Sequence, residues 1–345
     1  MNRSMEQLKV VIPGLVAKEY LPTLERFASQ LSIAHLEKLL SRAHQEKMER
    51  RGLLGDLFNL YGVQVPREQD LPVASLSRLG DGGQVDKGWW ICMEPVYLRP
   101  DRDSIVLMPN DDLNLTLEEA KGLASDIEQH FNDLDWHIEV LSPQRWYLRL
   151  PQAAEINTSP INEVVGKHIN NLLPIGEQAR QWHALLNEVQ MLLHAHPLNQ
   201  ARQARGDFPI NGVWVWGGGA LPEIKQRAIT FYTSGNLERG LANYVGNVIN
   251  DCPQNYSSIC HQHKDTNIPV AVLHQLEDAL AANDVAAWCD EINRLEENWF
   301  SPVRLALKKG ELKKVTIYGG DGSSFSTDTK MQRRFWIKRK SLFSY

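Results

Sequence analysis

Four groups of residues in this 345-residue chain have the types and spacing to do chemistry. The first is Gly217-Gly218-Gly219, which follows Gly212-Val213-Trp214-Val215-Trp216 and precedes Ala220-Leu221-Pro222-Glu223. The alternating valines and tryptophans predict a buried strand. Pro222 with Glu223 suits the first turn of a helix. A glycine turn between a strand and a helix can close its backbone N–H groups on an anion, and it can equally serve plain packing. It is neither a P-loop nor a dinucleotide fingerprint, because no G-x-x-x-x-G-K-[ST] follows and Pro222 stands where G-x-G-x-x-G needs a glycine. No cofactor is therefore expected.

The second group lies on a helix predicted from about Ile175 to His194, where Asn187, Gln190 and His194 share a face beside apolar rows of Trp182, Leu185, Val189 and Leu192. These amides and the histidine can cap neighbouring strands and loops, since a buried amide left unsatisfied costs about 1 to 3 kcal/mol. Alternatively they line a pocket with Asn199, Asn211 and the glycine turn. His194 is then the candidate catalytic acid or base, its pKa lying near operating pH.

The third group is Arg145, Tyr147 and Arg149, which alternate along one face of a predicted strand. Two arginines can clamp a phosphate or carboxylate bidentately, or pair with Glu94, Asp101 and Asp103 of the facing hairpin. The fourth, Cys252, Cys260, His261, His263 and Asp265, offers donors for a tetrahedral zinc. Its spacing matches no standard zinc knuckle and it falls in a polar loop, so no resident metal is expected.

Three zones must position these residues. Zone one, residues 1–88, opens with a strand at Val10 to Ile12, followed by helical patterns through Tyr20 to Leu31, Ala34 to Arg51 and Leu53 to Tyr61. Zone two, 89–151, reads strand, strand, helix, strand, strand, with a capping box Thr116-Leu117-Glu118-Glu119 opening the helix. That order implies a small antiparallel sheet with one covering helix. Zone three, 161–345, alternates helices and strands from the Trp214 strand to Lys314–Tyr318, then closes in a hairpin ending near Arg339. The expected fold is α/β, a mostly parallel doubly wound sheet with a small antiparallel α+β insertion.

A formal net charge of −5 argues against a dedicated nucleic-acid binder, although Arg333 to Lys340 is locally basic and reads as an edge strand protected by charge. No run reaches the ~20 apolar residues of a membrane span. Leu8 to Ala17 is too short and too soon charged for a signal peptide. Four scattered cysteines suit a reducing compartment, so a cytoplasmic protein is expected.

The elements Trp90-Ile91-Cys92-Met93-Glu94-Pro95-Val96-Tyr97-Leu98-Arg99-Pro100-Asp101-Arg102-Asp103, Arg145 to Leu150, Leu186 to Asn199 and Val213 to Gly219 resemble a proteobacterial family, the RpfE-type regulatory proteins. Members of that family are often labelled cofactor-independent phosphoglycerate mutases. The resemblance implies an alkaline-phosphatase-like core, in which Asp and His clusters hold two divalent metals beside a Ser or Thr nucleophile. Such enzymes carry Asp-Gly after the first strand and an Asp-His pair with a further His late in the chain. Here Pro13-Gly14 follows the first strand, Gly320-Asp321-Gly322-Ser323 lacks a histidine, and none occurs beyond His274. The expected function is a regulatory or metabolite-binding protein whose partner is an anionic small metabolite or another protein, with neither nucleic acid nor membrane. An active mutase or related phosphotransfer enzyme, and a ligand-free interaction scaffold, are the alternatives.

Overall fold

The computed structural model describes residues 5–17, 20–48, 52–63, 66, 69–102, 104–108, 113–263 and 266–345. The chain forms two compact units, Met1–Gln64 with Ile224–Tyr345, and Val65–Glu223.

The first unit holds β1 (Met5–Val11), α1 (Leu21–Leu24), α2 (Ala34–Ser41), β2 (His44–Lys47) and α3 (Gly52–Tyr61). The second unit holds α4 (Val73–Gly80), β3 (Trp89–Val96), β4 (Leu98–Asp101), β5 (Ser104–Leu107), α5 (Leu117–His130), β6 (His137–Val140), β7 (Trp146–Leu150), α6 (Ile161–Val164), α7 (Ala179–His194), α8 (Pro197–Arg205) and β8 (Gly212–Gly219). The chain then completes the first unit with β9 (Ile229–Tyr232), α9 (Asn236–Val245), β10 (Val248–Asn250), α10 (Tyr256–Gln262), β11 (Ile268–Val272), α11 (Gln275–Ala281), α12 (Val285–Leu295), α13 (Ser301–Lys309), β12 (Leu312–Tyr318), β13 (Ser323–Asp328) and α14 (Thr329–Gln332).

The sheet of the first unit has the order β10-β9-β11-β1-β12-β13-β2. Its first five strands are parallel, β13 returns antiparallel to β12, and β2 pairs antiparallel to β13. β1 sits in the middle because Leu8, Val10 and Val11 are buried whichever way they point, the near-continuous apolar run of a strand covered on both sides. On one side Leu8, Val10, Ala271 and Ile317 pack with Leu36, Leu39, Leu276, Trp288, Ile292 and Leu307 from the helices. On the other, Tyr61 of α3 meets Phe231 of β9 at 6.5 Å between ring centres. The α12 helix passes through a π-turn at Glu296–Phe300 into α13, and Pro302, which has no N–H to give the ladder, stands just past that turn.

The second unit is built on an antiparallel sheet of order β6-β7-β3-β8 and a separate β4–β5 hairpin. Ile91, Met93, Leu148, Val213 and Val215 bury one face of that sheet against α5 and α7. The expected capping box is present at the start of α5: the Glu119 N–H donates to Thr116 Oγ1 at 3.2 Å, and the Thr116 N–H donates to the Glu119 carboxylate at 3.1 Å.

An α/β fold with a mostly parallel sheet and a smaller antiparallel one is therefore observed, with several local differences from the sequence reading. The Trp214 strand, β8, pairs antiparallel with β3 and is not part of the parallel sheet. Both its faces are apolar, Val213 and Val215 against the α7 side and Trp214 and Trp216 on the other, so it carries the signature of a doubly covered strand. No helix starts at Pro222, because the three glycines prolong β8 and residues 220–228 are irregular. The helix expected from Ala34 to Arg51 stops at Ser41, and His44–Lys47 forms edge strand β2, whose fully exposed side chains give no period to read. The closing hairpin ends at Asp328, whose side chain accepts from the Met331 N–H at 2.7 Å and turns the chain into α14, so Arg333 to Lys340 is not a strand. Among the described residues no helix is long and apolar enough to cross a membrane.

Candidate functional site

The residues expected to converge in the second unit are mostly exposed or taken up in packing and backbone hydrogen bonds. The buried row of α7 is Trp182, Leu186, Val189 and Leu193, which leaves Asn187 and His194 exposed and Gln190 half-buried. Asn199 is buried and fully used: its amide donates to the carbonyls of Leu193 and Ile210, both at 2.7 Å, and its oxygen accepts from the Ile210 N–H at 2.8 Å. Asn211 exchanges two bonds with the backbone of Leu98, at 2.7 and 2.9 Å. Both amides thus complete backbone pairing, Asn199 with residues on either side of α8 and Asn211 across to β4.

The three glycines are covered by side chains. A Cβ on Gly218 would lie 2.3 Å from Trp89, one on Gly217 2.8 Å from Val73, and one on Gly219 2.6 Å from Pro72. Their absence of a side chain lets these groups lie directly on the strand. Gly218→Ala is accordingly expected to destabilise the protein by about 1 to 3 kcal/mol through overpacking against Trp89, read as a lower urea midpoint with the slope unchanged. An unaltered midpoint would show that the strand is open there.

Arg145 is committed within the protein. Its guanidinium holds Asp81 through two bonds of 2.7 Å, and the Tyr147 hydroxyl donates to the same carboxylate at 2.6 Å. Its hydrogen-bonded partner is Asp81, which follows α4, an element absent from the sequence reading, while Glu94 of the expected set is drawn to the same Arg145 charge. Asp103 lies outside the described residues. Arg149 is exposed. Beside this cluster Glu94 is buried and accepts from Trp216 Nε1 at 3.0 Å, and burial pushes its carboxyl up to about 7 despite that bond.

The cysteine and histidine cluster does not assemble. Cys252 is half-buried with Sγ 3.5 Å from the Val272 carbonyl, Cys260 and His261 are exposed on α10, and His263 places Nε2 3.0 Å from the Asn267 carbonyl. Asp265 lies outside the described residues. Among the described residues no group of three or more His, Cys, Asp or Glu is arranged to hold a metal ion.

A different constellation forms beyond the carboxyl ends of the parallel strands, where α/β sheets place their ligands. β1 runs into Pro13-Gly14, β9 into Thr233, β11 into Leu273-His274, and β12 into Gly319-Gly320-Asp321. His274 Nε2 lies 2.7 Å from Glu238 Oε1, which also accepts from the Thr233 hydroxyl at 3.0 Å. Glu277 stands 3.8 Å from the other ring nitrogen. Glu238 is wholly buried and its second oxygen has no hydrogen-bond partner. Burial opposes a charge on His274, but the bonds to Glu238 and Glu277 outweigh it and push its pKa up to about 10.

Asp56, on α3, is also wholly buried. It accepts from the Gly320 N–H at 3.1 Å and leaves Oδ1 without a partner. Burial raises its pKa to about 8, against the lowering effect of that bond, and the Asp321 and Glu277 charges add to the rise. The site therefore favours the charged form of His274, and burial favours the neutral form of Asp56. Thr233 is wholly buried behind Glu238, so its hydroxyl is not a nucleophile open to substrate. These donors do not fit the two-metal site that the resemblance implies. Proline stands after β1, and the histidine faces its own carboxylate.

The polar residues of this end were missed in the sequence although each left a signal. His274 directly follows the apolar run Pro269 to Leu273, the carboxyl end of a strand, and Asp56 is the one charged residue in Leu53 to Tyr61.

No protein-family profile matches the chain. A 2,3-bisphosphoglycerate-independent phosphoglycerate mutase of Methanosarcina barkeri is 29% identical over 99 residues, 27% of this chain and 25% of that protein. A probable enzyme of the same name from Geobacter sulfurreducens is 35% identical over 65 residues, 19% of this chain and 16% of that protein. The chain thus matches about a quarter or less of the length of these relatives. Among solved structures, the PH0037 protein of Pyrococcus horikoshii superposes with a TM-score of 0.58 at 15% identity, covering 94% of this chain and 88% of that one. The chain shares the fold of that archaeal protein and, over about a fifth to a quarter of its length, is similar in sequence to 2,3-bisphosphoglycerate-independent phosphoglycerate mutases.

Proposed function

We propose that this chain is a regulatory or metabolite-binding protein of the RpfE type, built on a phosphoglycerate mutase-like fold without the metal-dependent chemistry of that enzyme. The observation that carries this reading is the carboxyl end of the parallel sheet, where Pro13-Gly14 replaces a metal-binding carboxylate and His274 is engaged by Glu238 at 2.7 Å. Two divalent cations need several open donors to hold both the attacking and the leaving oxygen of a phosphoryl transfer. This end supplies one histidine, already engaged by Glu238 and Glu277, and the Asp56 carboxyl, whose pKa burial raises to about 8 and so disfavours as an anionic ligand. Such a fold acts by what it binds.

The test is turnover of 2- and 3-phosphoglycerate by the purified protein with manganese, cobalt or zinc added. No interconversion above background is expected. A turnover above ~1 per second that chelator abolishes would make the protein a working mutase.

A further inference from the structure

The α2 and α13 helices of the first unit touch each other, and like-charged pairs stand at i, i+4 spacing on both: Lys38 of α2 with Arg42 at its C-cap, and Arg304 with Lys308 on α13. Like charges at this spacing repel on one helix, and here the two pairs belong to adjoining helices. Arg304 is only 7% exposed, its Nε has no hydrogen-bond partner, and its Nη1 approaches a histidine, His35 Nδ1, at 3.5 Å. Arg42 spends one nitrogen on the Gln332 carbonyl at 2.7 Å.

The acids nearby are already occupied. Both oxygens of Glu296 accept backbone N–H groups, from His35 at 2.5 Å and Leu36 at 2.9 Å, so it attracts Arg304 without bonding its Nε. Glu37 accepts from the Leu342 N–H and pairs with Arg339, each at 3.1 Å. Burial and then the Arg42 charge lower the pKa of Arg304; the Arg304 charge, burial, Arg42 and Lys38 lower that of Lys308. This guanidinium, removed from water, keeps an open Nε, and the cations around it outnumber the one carboxylate that faces it, Glu296, whose oxygens are bonded to backbone.

We propose that the cationic seam where α2 meets α13 binds a small, soluble phosphate-bearing anion, with Arg304 as its buried donor and Lys38, Arg42 and Lys308 around it. The planar guanidinium fork matches phosphate geometry, and four cations favour a multiply charged ligand. The depth of Arg304 suits a free anion rather than a headgroup held at a membrane surface. This inference rests on the metabolite-binding half of the reading above. Its measurement involves no turnover, so it and the mutase assay can fail separately.

Calorimetric titration with inorganic pyrophosphate at constant ionic strength is the test. Saturable binding at one site per chain is expected, weakened by roughly tenfold or more in the Lys38→Glu/Lys308→Glu double variant and in Arg304→Gln. Without ligand the double variant should be at least as stable as the parent, because repulsion between the helices is relieved. If Arg304→Gln fails to fold, the double variant decides. No saturable binding by the parent, or equal affinity in the double variant, overturns the proposal. So does sedimentation with phosphatidylcholine–phosphatidylserine vesicles in the absence of pyrophosphate binding.

Discussion

Asp56→Asn is expected to stabilise the protein, by an amount that grows with pH. The Asp56 carboxyl is wholly buried, and its pKa rises from 3.8 to about 8 on folding. Between those values the native state holds a proton that the unfolded chain has released, so stability falls as pH rises. Near pH 4 the group adds little to the difference between states. By pH 8 a rise of this size, at about 1.4 kcal/mol per unit, costs on the order of 5 to 6 kcal/mol. Asparagine keeps an oxygen for the Gly320 N–H and has nothing to ionise. Unfolding midpoints of both proteins at pH 5, 7 and 8 should therefore diverge, with the variant higher. A difference that stays constant over this range would mean that Asp56 is already ionised in the folded protein.

Glu238→Ala should be among the most damaging single changes in the first unit. The carboxylate is wholly buried and accepts from both Thr233 and His274, so its loss leaves a hydroxyl and an imidazolium without their partner. Breaking a buried ion pair from one side costs about 3 to 5 kcal/mol. The sign of the pH dependence follows from His274, whose folded pKa of about 10 lies above its unfolded 6.5. Its contribution is fully present below pH 6.5 and is lost as pH rises through 10. The gap between parent and Glu238→Ala should accordingly close over that window. In the variant the ring, followed by nuclear magnetic resonance, should titrate well below 10. A ring that still titrated near 10 would assign the charge to Glu277 instead.

Much of the architecture was legible because backbone geometry writes itself into local patterns. The capping box at Thr116, the apolar runs of β9, β11 and β12 and the helix ending at His194 each depend on neighbours within a few residues. The missing Asp-Gly after β1 is legible for the same reason, since a motif is a local arrangement. What the sequence could not settle is which distant groups share a site. Apolar faces on both sides of β8 suit a parallel strand between helices as well as an antiparallel one under aromatic rings, and only pairing with β3 distinguishes them. The same holds for polar residues. Asn187 and His194 share a helix face, but only the burial of Trp182, Leu186, Val189 and Leu193 on the opposite row decides that this face meets water.

Arg145 finds Asp81 across 64 residues, Asp56 meets Gly320 across 264, and Arg304 lies beside His35 across 269. The sequence by itself determined that the chain folds as a mostly parallel α/β protein and that the first-strand metal carboxylate is absent. Tertiary structure alone decided which charges are buried, paired or left open, because desolvation and Coulomb forces depend on distance in space and not on separation along the chain.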